Sequence, residues 1–139
     1  MWIDAKGSTV LPPPECLRLL AVMANDVGIG RLGIPTDQAP AITPVNFSLR
    51  DREIAVREGT GFLTRAAAGR LVAFEVDRID SAGGVAWSVL ARGLATIIDS
   101  PTEIELAAAQ PLIPEPGDKL LVVRSDVLTG RRFKLGCAP

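Results

Sequence analysis

A Trp-Ser pair, Trp87 and Ser88, stands inside the long apolar stretch of residues 84–93. A second apolar stretch is interrupted in the same way by Thr43 and Asn46. Indole, hydroxyl and amide groups on such strands can contact a ligand, although a tryptophan also serves as a core or interface anchor and a serine as an ordinary wall residue. The two stretches together predict a small β-barrel whose polar interruptions line a site.

Side chains for acid-base, nucleophilic or metal chemistry are scarce in this chain. It contains no histidine, which excludes Ser-His-Asp and Cys-His hydrolase mechanisms. Its two cysteines, Cys16 and Cys137, lie near opposite ends and form no C-x-x-C pair, so neither a zinc site nor a redox dithiol is indicated. Glu75 and Asp77 flank an apolar residue on one strand face and predict no acid-base dyad. A reaction carried by a cofactor suits this inventory.

Length, charge and hydropathy bound the class of protein. The 139 residues fall within the usual size of one domain, so residues 1–139 are expected to form a single domain. The net charge of −1 argues against nucleic-acid binding. No uncharged apolar run approaches the ~18 residues of a membrane span, and the first residues lack the basic start of a secretory signal. A cytoplasmic protein without membrane contact is expected.

Apolar spacing and turn residues predict the elements of the first half of the chain. An irregular N-terminal arm over residues 1–13 leads into a short helix that begins at Glu15. The next strand ends before Pro35, and the strand after it holds Pro44, which demands a sheet edge or a bulge. A turn over residues 50–53 then opens a hairpin.

The second half begins with a short helix from Phe62, which Gly69 ends as a C-cap. A strand from Leu71 leads into a loop over residues 77–84. The longest strand follows, from Val85 to Ile98, and its middle glycine, Gly93, is the natural place for a bend.

Two further turn signals lie near the end of the chain. Ser100, Pro101 and Glu103 predict a helix start, with a capping hydroxyl, a proline at the first helical position and a reciprocal carboxylate; the helix is expected to run to about Gln110. A last hairpin is predicted to turn through Thr129-Gly130. About six strands and three short helices result, which favours a closed or nearly closed antiparallel barrel.

Six short blocks carry a resemblance to a known family: residues 15–20, 30–33, 41–47, 73–77, 84–93 and 127–132. In this order they resemble the pyridoxamine 5'-phosphate oxidase-like family, and in particular its actinobacterial flavin-binding split-barrel branch. The resemblance implies a mainly β fold, a six-stranded antiparallel split β-barrel with short flanking helices. It also implies a homodimer that holds flavin mononucleotide (FMN) or a deazaflavin in two grooves at the dimer interface.

Carried over position by position, the resemblance places the strand of residues 43–46 beside the flavin ring, and Trp87 and Ser88 in the groove from a neighbouring strand. Thr60 and Gly61 match a turn into a phosphate-binding helix start. The cofactor-binding residues implied in this way are Thr43, Pro44, Val45, Asn46, Arg57, Thr60, Gly61, Arg65, Trp87 and Ser88.

The helix after this turn departs from the family pattern. Phe62 and Leu63 stand where related flavin-binding sequences place a lysine, often after a small hydroxyl residue or an arginine. Losing one charge-assisted contact to phosphate costs about 1.5–3 kcal/mol. Arg57 or Arg65 is the candidate replacement, although both are otherwise interpreted as solvated surface charges.

Two functions follow from this sequence and stay open at this point. The first is an oxidoreductase that binds FMN or a deazaflavin and passes hydride to an unknown small substrate. The second is a non-catalytic split-barrel dimer that has lost tight cofactor binding, with Phe62 and Leu63 in place of the phosphate clamp.

Overall fold

The computed structural model describes residues 8–26, 28–58, 61–109 and 117–136. Helices within these ranges are α1 (Pro13–Asn25), α2 (Phe62–Ala67) and α3 (Glu103–Ala108). Strands within these ranges are β1 (Ser8–Leu11), β2 (Ile29–Ile34), β3 (Ala41–Asn46), β4 (Ser48–Arg50), β5 (Glu53–Glu58), β6 (Leu71–Asp80), β7 (Val85–Ile98), β8 (Lys119–Arg124) and β9 (Val127–Lys134).

All paired strands run antiparallel, in the order β3-β2-β6-β7-β8-β5-β4, and β9 pairs with both β7 and β1. The two end strands of this path, β3 and β4, are separated in the chain by Phe47 alone. Its backbone N–H donates to the carbonyl oxygen of Gly28 at 2.8 Å. Because strands from opposite ends of the path meet at one residue, the sheet must curl. The predicted mainly β split barrel is therefore confirmed.

The core lies on the concave side of this curled sheet. We call that side the inner face; it carries Leu32, Phe74 and Val89, which are fully buried. The Phe74 ring meets Phe47 edge-on, with ring centroids 4.8 Å apart. Helix α1 closes over the inner face with its own buried residues, Cys16, Leu19 and Leu20. The opposite, convex side is the outer face. None of the three helices within the described ranges has the length and apolar character to cross a membrane.

Strand β7 has the predicted bounds and connects the two halves of the sheet. It pairs with β6 from Val85 to Leu94, and its other edge pairs first with β9 and then with β8. The change of partner falls at Gly93, between the last β9 pair at Arg92 and the first β8 pair at Ala95. A Cβ atom at Gly93 would collide with the carbonyl oxygen of Arg124 at the end of β8. The glycine thus permits the close approach that the partner change requires.

The sheet has nine strands in the described ranges, so the expected count of six was too low. Ser8–Leu11 is a strand instead of part of an irregular arm, because it pairs with β9 from the far end of the chain. Strand β9 continues through Thr129-Gly130, where a hairpin turn was expected. A Cβ at Gly130 would lie 2.7 Å from the Cys16 Sγ, so this glycine serves helix packing and not a turn.

Helix α3 begins two residues later than expected. Its N-cap is Thr102, whose hydroxyl accepts from the Glu105 backbone N–H at 3.1 Å, while the Glu105 carboxylate accepts from the Thr102 N–H at 3.1 Å. This capping box has the same spacing as the expected one at Ser100 and Glu103, so local sequence could not choose between them. The helix ends at Ala108, and Gln110 lies outside the described residues.

The close approach at Gly93 gives a test of the fold. We expect Gly93→Ala to lower the free energy of unfolding by about 1–3 kcal/mol, because the new methyl group forces β7 away from Arg124. Urea unfolding followed by circular dichroism measures this change. Gly33→Ala is the matched control, since its Cβ would meet Ala73 at an ordinary 3.6 Å. Equal effects of the two substitutions would contradict the role of Gly93.

Candidate functional site

Strand register determines which side chains share a face of the sheet. On the outer face one row crosses five strands, from β3 through β2, β6 and β7 to β9, and consists of Ile42, Gly33, Ala73, Arg92 and Val127. The next outer row consists of Pro44, Arg31, Glu75, Leu90 and Thr129. Residues directly opposite each other in antiparallel strands lie on the same side, so each row is a continuous surface.

The first row lines a groove of about 670 Å³, which we call the outer groove. Gly33 and Ala73 form its small-residue floor, and Ile42 and Leu71 rise beside it with exposed fractions of 74% and 73%. Arg92 lies between Ala73 and Val127 in this row and makes no hydrogen bond or ion pair with any residue that the structure describes. The groove therefore combines apolar walls with the guanidinium of Arg92 and one carboxylate, Asp126, whose Oδ1 lies 3.4 Å from the Arg124 Nη2.

A group of three charged side chains lies beside this groove in the second row. The Arg31 Nη1 lies 3.2 Å from the Glu75 Oε2 and 3.4 Å from the Asp77 Oδ2. Partial burial raises the pKa of Glu75, the hydrogen bond and charge of Asp77 raise it further, and Arg31 opposes the rise. One guanidinium thus serves two carboxylates on an otherwise largely apolar face.

A second cavity, of about 860 Å³, opens at the end of the β6–β7 hairpin. Trp87 lines it, together with Arg78 and Arg132, which stand directly opposite Trp87 on β6 and β9. Trp87 has the same strand parity as the buried Val89 and packs against the core, so it belongs to the inner face. We call this space the end cavity.

The residues implied by the resemblance fall on both faces of the sheet. Pro44, Asn46 and Ser88 have outer-face parity, whereas Thr43, Val45 and Trp87 have inner-face parity. The side chains of Trp87 and Ser88 therefore point to opposite sides of β7. Within the described residues, no single groove on one face of the sheet contains both side chains.

Two of the implied polar side chains, Asn46 and Arg57, donate hydrogen bonds to backbone carbonyl oxygens. The Asn46 Nδ2 donates to the carbonyl oxygen of Gly28 at 3.3 Å. The Arg57 guanidinium donates to the Gly117 carbonyl at 2.6 Å and to the Leu106 carbonyl at 3.4 Å, and so joins β5 to the last turn of α3. Arg57 is thus engaged by backbone carbonyls in this structure.

The turn before α2 holds the remaining implied residues. The Arg65 side chain folds back over Gly61, where its Nη1 would lie 3.0 Å from a Cβ. Thr60 lies outside the described residues. Leu63 is only 8% exposed and belongs to the core, while Phe62 is 47% exposed. A lysine in place of Leu63 would therefore enter the core and not a groove.

Comparison with known proteins identifies the family. The sequence model described as pyridoxamine 5'-phosphate oxidase matches residues 12–132. The chain belongs to this family. Rv0080 of Mycobacterium tuberculosis, named as an uncharacterized protein, is 29% identical over 138 residues, which cover 94% of this chain and 88% of that protein.

Solved structures agree with membership of the pyridoxamine 5'-phosphate oxidase family. The FAD binding protein from Mycobacterium smegmatis is 29% identical with a TM-score of 0.71, covering 92% of this chain and 100% of its own. An FAD-binding protein from Mesorhizobium loti is 16% identical with a TM-score of 0.67, covering 90% of this chain and 96% of its own. At that identity the second likeness shows the fold alone.

Sequence reasoning on this family member did not single out Gly33, Ala73 and Arg92 as site residues. They lie on three different strands, and only the register of β2, β6 and β7 brings them into one row. A signal was present, because Gly33, Ala73 and Arg92 fall within three of the blocks that carry the family resemblance.

Because Glu75 and Asp77 share one guanidinium, that of Arg31, we expect the free energy of unfolding to depend on pH. The folded chain holds the Glu75 proton more tightly than the unfolded chain, because the folded pKa lies above the ordinary value of 4.5. This stabilisation is complete below pH 4.5 and is lost as the pH rises through the raised pKa. We expect Asp77→Asn to lower the pKa of Glu75 and reduce that loss. Unfolding midpoints from about pH 4 to about pH 7 measure it.

Asp37→Asn is the matched control, because Asp37 is exposed and lies in the loop before β3, away from Glu75. Its loss of stability over the same pH range should equal that of the unchanged protein. An equal loss in the Asp77→Asn variant would contradict the proposed coupling.

Proposed function

We propose that this protein is a flavin-dependent oxidoreductase that acts as a homodimer, with the flavin held in the outer groove. The observation that carries the proposal is the outer groove itself, with small residues at its floor, apolar walls and the guanidinium of Arg92. Membership of the pyridoxamine 5'-phosphate oxidase family and the 29% identity to an FAD binding protein support it. The flavin would be FMN, FAD or a deazaflavin, and it supplies hydride transfer when bound.

The donor set of the outer groove fits a flavin nucleotide. The absence of a side chain at Gly33 lets a planar ring approach the strand backbone, and Ile42 and Leu71 can contact the apolar edges of that ring. A guanidinium pairs with phosphate through two parallel hydrogen bonds, and Arg92 has no competing partner among the described residues. We therefore assign the cofactor phosphate to Arg92.

The outer face also supports the homodimer. Ile42, Leu71 and Ile79 are 74%, 73% and 68% exposed, and Ile29, Val127 and Phe133 add further exposed apolar surface on the same face. Soluble monomers rarely leave an apolar patch of this kind uncovered. A second protomer on the outer face would cover it and close the open side of the groove.

The residues of this face then have simple roles in the proposed reaction. Pro44, Asn46 and Ser88 share the face and would contact the cofactor or its substrate, with the Ser88 hydroxyl able to donate or accept. The apolar side chains exclude water from the ring. No side-chain nucleophile or base is required, in agreement with a chain that contains no histidine.

The cofactor-free dimer is the second candidate, and one observation favours it. Arg57, which the resemblance offers as a phosphate ligand, donates to the carbonyls of Gly117 and Leu106. Phe62 stands exposed where a cationic clamp is expected. Leu63 does not add to this case, because it is a core residue. The two candidates differ in whether the purified dimer retains a flavin.

Flavin binding tests the proposed function directly. We expect the purified protein, after incubation with FMN, FAD or a deazaflavin and gel filtration, to retain the absorbance of at least one of them. Arg92→Gln should weaken that binding about tenfold or more, because one charge-assisted phosphate contact is lost. Arg52→Gln, on the exposed β4–β5 turn, is the charge-matched control and should bind as before. Retention of none of the three cofactors would favour the cofactor-free dimer.

The dimer is tested by a charge on the outer face. Leu71→Glu should convert the dimer into a monomer, because a carboxylate would be buried in the proposed interface at high cost. Sedimentation velocity at several concentrations measures the mass. Ile104→Glu is the control, since Ile104 is 82% exposed but lies on α3 and not on the sheet. A monomeric parent protein would contradict the proposed homodimer.

A further inference from the structure

We propose that the end cavity is a second binding site, which takes a small planar aromatic molecule carrying a carboxylate or phosphate. Its volume of about 860 Å³ lies within the range of small-molecule pockets. Its wall contains an indole with an arginine on each side, which is the combination that a ring with an attached anion requires. This proposal does not depend on the flavin proposal.

The register of three strands builds the central part of the site. Trp87 pairs with Arg78 of β6 on one side and with Arg132 of β9 on the other. The three side chains therefore form one row on the inner face, with the indole between the two guanidinium groups. Trp87 packs against the core, which holds the indole in place as a stacking surface.

The two arginines are held by acids near opposite ends of α1. The Arg78 Nη2 lies 3.5 Å from the Asp26 Oδ2, and the Arg132 Nη2 lies 3.3 Å from the Glu15 Oε1. Helix α1, which covers the inner face, thus has an acidic partner near each end for one of the two arginines.

Both ion pairs are weak enough for a ligand anion to compete with them. The Arg78–Asp26 pair is long, and both side chains are about half exposed. Glu15 has a closer partner in Arg18, which donates to its two oxygens at 2.6 and 3.0 Å, and that hydrogen bond is the main cause of the lowered pKa of Glu15. Exposed pairs of this kind contribute little stability. Arg78 and Arg132 can therefore turn toward an anion in the cavity.

The remaining lining favours an anion with an apolar body. Asp80 is the one acid among the lining residues that the structure describes, against two arginines, and its Oδ1 accepts the Gly83 backbone N–H at 2.9 Å. Its charge is thereby directed into the hairpin turn. Val85, which has the inner-face parity of Trp87, supplies an apolar wall, and Ile79 of the outer face also lines the cavity. The end cavity is separate from the outer groove, because Trp87 faces the inner side of β7 and Ser88 the outer side.

Titration with 2-naphthoate tests the proposal on the full-length protein. The Nε1–H signal of Trp87 in ¹H–¹⁵N spectra, identified by its loss in Trp87→Phe, should shift with saturation. Cyclohexanecarboxylate, which lacks the aromatic ring, and 2-naphthol, which lacks the carboxylate, should bind at least about tenfold more weakly. Absence of a saturable shift would overturn the site, and equal binding of either comparison compound would overturn the proposed ligand class.

Two arginine variants keep the test independent of Trp87. Arg78→Gln and Arg132→Gln should each weaken naphthoate binding about tenfold, because each removes one charge-assisted contact. Arg124→Gln, a charge-matched change at the exposed end of β8, should leave it unchanged. Thermal unfolding midpoints confirm that the variants are folded. Unchanged binding in both arginine variants would overturn the site.

A competition experiment separates this proposal from the flavin proposal. We expect saturating FMN not to displace naphthoate, and Arg92→Gln to weaken flavin binding without moving the Trp87 signal. Displacement of naphthoate by FMN, with loss of both ligands in Arg132→Gln, would instead show one shared site and overturn the separate one. Failure of the unchanged protein to bind any of the flavins, with naphthoate binding retained, would count against the outer groove and leave the end cavity intact.

Discussion

Strand β7 is the constraint on which the rest of this structure depends. It is bonded to β6 along most of its length, and its other edge passes from β9 to β8 at Gly93. A strand with two partners on one edge must bend the sheet, and only a glycine allows the carbonyl of Arg124 to approach its backbone so closely. The curl that follows separates an inner face, filled by the core, from an outer face that no element of the described chain covers.

The two candidate sites are a direct result of this separation. Successive residues of a strand point to opposite sides, so the Trp-Ser pair contributes its indole to the end cavity and its hydroxyl to the outer face. The outer face retains exposed Ile42, Leu71 and Ile79. Full burial of each such side chain is worth about 1.5–3 kcal/mol, which supports the proposed association of two outer faces.

The sequence predicted the elements whose signals are local. The bounds of β7 and the hairpin at residues 50–53 depend on neighbouring residues, and both are found in the structure. Helix α1 begins at Pro13, two residues before the expected Glu15, because a proline is tolerated in the first turn of a helix. Strand β1 was missed because β9, with which it pairs, lies more than 100 residues away in the chain. Arg92 was missed for a similar reason. It becomes a candidate site residue because strand pairing places it in one row with Gly33 and Ala73, which lie on two other strands.

A family resemblance transfers the path of the backbone more securely than the role of a side chain. Leu63 occupies the position where relatives have a lysine, yet it is buried in the core, so the substitution is not the loss of a groove residue. Arg57 matches a ligand position, yet its guanidinium is used by the Gly117 and Leu106 carbonyls. In both cases, whether the side chain can bind a ligand depends on which face it occupies and which partners it already has. A phosphate ligand must therefore be sought among cations that face a groove and lack a partner, and in the described chain Arg92 meets both conditions at the outer groove.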